Sequence, residues 1–121
     1  MFTRIFSRAK MTLPEAVIAL NGAVRGSDTE RIKKLVADYP ELLCTSDDKG
    51  AYPLHWAAEA QSLASVACLV DLGANIQQKD RLGYTAEQVA YWYGEFRMGA
   101  YTDASLKIVE RLKNGPITKN A

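Results

Sequence analysis

The sequence predicts an all-α fold, about three helix pairs stacked side by side with short connecting turns and an insertion in the last pair. Three observations carry this expectation. Asp47 and Asp80, Gly50 and Gly83, and Ala57 and Ala90 are each 33 residues apart, so one local pattern is written twice in register. A period of that size marks a repeated supersecondary unit that buries its apolar face against its neighbours. Helix-start signatures recur at Thr12 with Glu15, Ser27 with Glu30 and Thr85 with Gln88, where a hydroxyl and an acid or amide three residues on can satisfy free backbone N–H groups. Between these starts and the breakers Gly26, Pro40, Gly73 and Gly115, apolar residues recur at helical spacing.

Each element follows from these signals. After Thr12, with Pro14 in a tolerant early position, Ala16, Val17, Leu20, Ala23 and Val24 form one stripe that Gly26 stops. Ser27 opens a second helix bearing Ile32, Leu35, Val36 and Tyr39, and Pro40 ends it. An extended turn over Asp47 to Tyr52 leads to Pro53, at the first turn of a helix reaching about Gln61. Ser62 caps the next helix, with Leu63, Val66, Leu69 and Val70 inward and Gly73 as its stop. A second extended turn over Asp80 to Tyr84 precedes the helix capped by Thr85. The last helix, capped by Thr102 or Asp103, carries Leu106, Ile108, Val109 and Leu112. Its polar outer face of Lys107, Glu110, Arg111 and Lys113 suits a terminal unit.

The run Gly50-Ala51-Tyr52-Pro53-Leu54-His55-Trp56-Ala57-Ala58, followed by Val66, Leu69, Val70 and Asp71-Leu72-Gly73-Ala74-Asn75, resembles the ankyrin repeat. The likeness is strongest over 47–79 and extends over about 12–115. The second copy is degenerate, with Ala86, Glu87 and Gln88 where the family has Pro, Leu and His, and Tyr52 stands where the family has Thr. Loss of that hydroxyl implies that the turn before Pro53 is held differently. Ile32 to Val36 and Tyr39 to Leu43 are similar to the end of an N-terminal capping unit. The expected organisation is a basic start segment 1–11, one domain 12–115 with units 12–46, 47–79 and 80–115, and a tail 116–121, the whole being complete as a capped module.

The resemblance implies a protein-binding role. It assigns structural work to Gly50, Pro53, Leu54, His55, Ala57, Ala58, Gly73, Gly83 and Thr85, with the ring of His55 bonding turn backbone. It places the partner on the turn tips and on variable positions of each first helix: Asp48, Lys49 and Ala51, then Trp56 and Glu59, then Arg81, Leu82 and Tyr84, then Val89 and Trp92. For Trp56 the expectation is partial burial with an exposed edge.

The chain departs from its own repeat in the last unit. Ala57 to Val66 spans nine positions, whereas the equivalent Ala90 to Val109 spans nineteen. About ten residues are inserted. The segment around Glu95 to Asp103 carries Phe96, Arg97, Met98 and Tyr101 just after Trp92 and Tyr93, and aromatics, Arg and Met are enriched at interface centres. Two readings stand together: a lid over the last unit, and an extension of the binding patch.

Composition bounds the rest. A chain of 121 residues with 48% apolar residues supports one domain with a real core, and a net charge of +1 offers no field for nucleic acid. Cys44 and Cys68 are far apart, which with no secretory segment points to free thiols and a cytoplasmic location. Arg4 and Arg8 interrupt the apolar start, so it is no signal peptide, and no window is long enough to span a membrane. His55 is the single histidine and has no nucleophile or acid partner at useful spacing; no zinc, calcium or phosphate-loop pattern occurs. The resulting expectation is a non-enzymatic module without cofactors, a monomer or weak oligomer that binds another protein as an inhibitor, adaptor or immunity-type factor. Two alternatives stay open: a membrane-peripheral adaptor using the basic start, and a self-associating oligomer.

Overall fold

The computed structural model describes residues 11–93 and 103–115. These form six α-helices, α1 (Leu13–Arg25), α2 (Thr29–Asp38), α3 (Pro53–Glu59), α4 (Leu63–Asp71), α5 (Ala86–Trp92) and α6 (Asp103–Asn114), plus a 3-10 helix at Pro40–Cys44. No strand occurs among them, so the fold is all-α. The helices pair as α1–α2, α3–α4 and α5–α6. The pairs stack in two layers, α1 on α3 on α5 and α2 on α4 on α6.

Local chemistry sets most helix starts. Thr12 Oγ1 accepts from the Glu15 N–H at 3.2 Å while Glu15 Oε1 accepts from the Thr12 N–H at 2.9 Å. Thr85 and Gln88 repeat this box on α5, and Ser62 Oγ accepts from the Ser65 N–H at 3.1 Å on α4. The start of α2 differs from expectation. Its cap is Asp28, whose Oδ1 accepts from the Arg31 N–H at 3.2 Å, and Ser27 has φ 57°. The reason lies in the exit from α1. The Asp28 N–H bonds Ala23 O at 2.9 Å and the Ser27 N–H bonds Val24 O at 3.2 Å, a closure that needs a left-handed residue between them. Gln61 (φ 56°) fills the same role after α3, with Ser62 N–H on Ala57 O at 3.1 Å. Pro40 also departs from a simple stop: it begins the 3-10 turn that buries Leu42 and leaves Cys44 exposed at its end.

The core lies between the layers. Leu20, Val24, Ile32, Leu42, Leu54, Val66, Leu69 and Ile108 are buried there, and Ala57, Ala58, Ala86 and Ala90 let neighbouring helices approach closely. Leu106 points out from α6 rather than in, because Ile108, Val109 and Leu112 already fill the stripe that meets α4 and α5. Polar ties add register between pairs. Ser65 Oγ donates to Val24 O at 2.7 Å, the Ser27 and Ser62 hydroxyls lie 2.6 Å apart, and the Arg111 guanidinium donates to Asp71 Oδ1.

Candidate protein-binding face

The two extended turns have one construction. In the first, the Asp47 N–H bonds Ala51 O at 2.8 Å, while Asp47 Oδ1 accepts from the N–H groups of Lys49 and Ala51 at 2.9 Å each. In the second, the Asp80 N–H bonds Tyr84 O at 2.9 Å, and Asp80 Oδ1 accepts from Leu82 and Tyr84 at 3.0 and 2.9 Å. The tips then join: the Arg81 N–H donates to Gly50 O at 3.2 Å and its guanidinium to Asp48 O at 3.0 Å. Gly50 is required twice over. Its φ is +83°, and a Cβ there would stand 2.6 Å from Arg81 Cβ. Gly83 repeats the positive φ at the second tip, as Gly73 does after α4.

Asp47 carries the first turn as a carboxylate. Partial burial pushes its pKa up, but the N–H groups of Ala51 and Lys49, the Trp56 indole and the Lys49 charge outweigh burial and hold it below 3.8. A carboxyl depressed on folding contributes stability above its unfolded pKa and loses it as pH falls through the folded value. Stability from Asp47 should therefore be full near neutrality and fade on acidification below about pH 4. Asp47→Asn should lower the melting temperature at pH 7 and flatten its fall between about pH 4 and pH 2. Equal acid slopes in both proteins would remove Asp47 from this role.

His55 sits between two turns. Its Nδ1 accepts from the Tyr52 N–H at 3.2 Å, so the neutral ring carries its proton on Nε2, which donates to Tyr84 O at 2.8 Å. One side chain thereby caps α3, where Tyr52 offers no hydroxyl to do so, and fastens the second turn to the first. Trp56 corrects the sequence expectation. It is 0% exposed, and its Nε1 donates to Asp47 Oδ2 at 3.0 Å. The turn folds back over α3 and gives the indole both cover and an acceptor, so Trp56 is core and leaves no exposed edge. Val89, 33 residues on, is buried as well, and α5 presents Trp92 instead.

What remains open on this side is a continuous groove. One depression of about 650 Å³ lies among Glu59, Asp80, Leu82, Tyr84, Gln88, Trp92 and Tyr93. A second, of about 670 Å³, runs on through Val17, Ile18, Asn21, Arg25, Asp48, Lys49 and Arg81, sharing Glu59, Asp80, Leu82 and Tyr93 with the first. Residues 49–81, from one tip to the other, match the family model of the ankyrin repeat. Over that stretch the chain carries an ankyrin repeat. No curated protein shows significant similarity to it. The ankyrin repeat is a non-enzymatic, protein-binding fold, and on that basis the chain is an interaction module.

On this scaffold the expected contact residues fall into three groups. Asp48, Lys49, Arg81, Leu82 and Tyr84 stand at the tips, with Leu82 78% exposed. Glu59, Trp92 and Tyr93 line the groove. Trp92 is 51% exposed and meets the Tyr93 ring edge-on at 5.2 Å, while Glu59 Oε1 holds Arg25 of α1 at 2.8 Å. Phe96, Arg97, Met98 and Tyr101 lie outside the described residues. Sequence reasoning missed Ile18, which is 72% exposed on α1 at the groove wall. Its signal was available: a large β-branched residue off the Ala16–Leu20–Ala23–Val24 stripe has no core to enter.

Proposed function

We propose that this protein binds one protein partner stoichiometrically on the face made by the turn tips and by α1, α3 and α5. It acts there as an inhibitor, adaptor or immunity-type factor, as a cytoplasmic monomer or weak oligomer. One observation carries the reading: Ile18, Leu82, Tyr84 and Trp92 are large, apolar and exposed around one groove, flanked by the charged tips. Such a patch with a polar rim is the make-up of a binding surface rather than of idle surface. The insertion from Glu95 to Asp103 follows Trp92 in sequence and is proposed to extend the same patch. No helix among the described residues is long and apolar enough to cross a membrane.

The test is a comparison of two double variants against a partner captured with the full chain. Leu82→Ala with Trp92→Ala should weaken binding by about 2 kcal/mol or more, roughly thirtyfold, with the fold retained. Leu72→Ala with Leu106→Ala, at apolar residues outside the groove lining, should leave affinity within about threefold. The reverse pattern would move the partner to the other side of the molecule.

A further inference from the structure

We infer that the groove between the second turn and α5 receives a basic side chain, an arginine or lysine of the protein partner. Asp80 Oδ2 accepts a hydrogen bond from its N–H group, and the rings of Tyr84, Trp92 and Tyr93 flank its charge. The inference rests on the proposed binding face and names the chemistry of its deepest contact.

The repeat itself exposes the feature. Asp47 and Asp80 spend Oδ1 in the same way, on two N–H groups of their own turns. They differ at Oδ2. That oxygen of Asp47 is met by the Trp56 indole, and 33 residues beyond Trp56 stands Val89, which has no donor. Among the described residues no donor reaches Asp80 Oδ2, although Asp80 lines the groove. A carboxylate with one oxygen fixed and the other open is a preorganised acceptor.

Its surroundings select a cation. Among the described residues that line the depression between the second turn and α5, the charged ones are Asp80 and Glu59, both carboxylates. Asp80 also borders the second depression with Arg25, Lys49 and Arg81, where the Arg25 guanidinium is bound to Glu59 and that of Arg81 to Asp48 O. Tyr84, Trp92 and Tyr93 share the remaining wall with Leu82, Gln88 and Val89, and ring faces attract ammonium and guanidinium groups, more strongly where water is partly excluded. An anionic or purely apolar segment would leave Asp80 without a donor and desolvated, which is unfavourable.

The test uses the full chain, isotope-labelled, titrated with N-acetyl-arginine N-methylamide, with the lysine compound, and with the citrulline compound as a neutral match. Amide signals of Asp80, Leu82 and Tyr84 and the indole signal of Trp92 are followed. Saturable shifts are expected with the arginine or lysine compound, and binding at least about tenfold weaker with citrulline. Asp80→Asn, which keeps an acceptor for the turn, should weaken the cation by a similar factor. Val89→Trp, which rebuilds the arrangement of the first turn, should also close the site while melting stays cooperative. Either variant suffices should the other fail to fold. Equal midpoints for the citrulline and arginine compounds, no shifts with any of the three, or a cation response untouched in a folded variant would overturn the inference. Partner binding that still depends on Leu82 and Trp92 would then leave the face in place and remove the cation site alone.

Discussion

Trp56→Ala should lose about 3–5 kcal/mol of folding stability, the range for removing a fully buried large aromatic. Trp56 is the largest fully buried side chain among the described residues, held on α3 in the layer between α1 and α5. Its removal opens a cavity in that layer and leaves Asp47 Oδ2 without the indole donor. Set against the 5–15 kcal/mol typical of a whole domain, that is a large share. Trp56→Phe separates the two parts, since it keeps most of the ring volume and drops only the N–H. It should lose about 1–3 kcal/mol, the size of a lost hydrogen bond to a charged, half-buried acceptor. Chemical denaturation reads both. A loss below about 1 kcal/mol for Trp56→Ala, together with abolished partner binding, would restore Trp56 as a contact residue.

His55→Ala should lose about 2–3 kcal/mol, from an unmet Tyr52 N–H, the lost bond to Tyr84 O across the two turns and the space of a buried ring. In calorimetry this is a fall of roughly 10 °C for a domain of this size. The distribution of the damage is more telling than its total. Stability in a repeat array is a sum of units and nearest-neighbour junctions, and the Nε2 bond to Tyr84 spans a junction. Amides of α5 and α6 should therefore exchange with solvent faster in the variant, with α1 and α2 changed least. Uniform loosening would show His55 to be a cap for α3 and no more.

Features written in local chemistry were legible in the sequence. The 33-residue register, the boxes at Thr12 and Thr85, the Ser62 cap and the glycine turns each depend on residues within a few positions, and the structure builds them there. The fold class followed from them. Misreadings arose where a group outside the element's own residues decides the outcome. Ser27 looks like a cap until the exit from α1 demands a left-handed residue at that position. Trp56 looks like an anchor until Asp47 is seen folded over it. Leu106 fits a helical stripe by spacing, but α4 and α5 are reached by its neighbours. The candidate face shows the same division: its tips were readable from the repeat, whereas Ile18 and the open oxygen of Asp80 emerge only when α1, α3 and α5 stand side by side.

The most direct test of the binding face places a photo-reactive phenylalanine analogue at one position at a time in the full chain and irradiates it with the partner bound. Positions 82 and 92 flank the groove; positions 64 and 106 are exposed on α4 and α6. Cross-linking to the partner at 82 and 92, with none at 64 or 106, is the result predicted for binding on the α1–α3–α5 side. Adducts at 64 or 106 with 82 and 92 silent would contradict it.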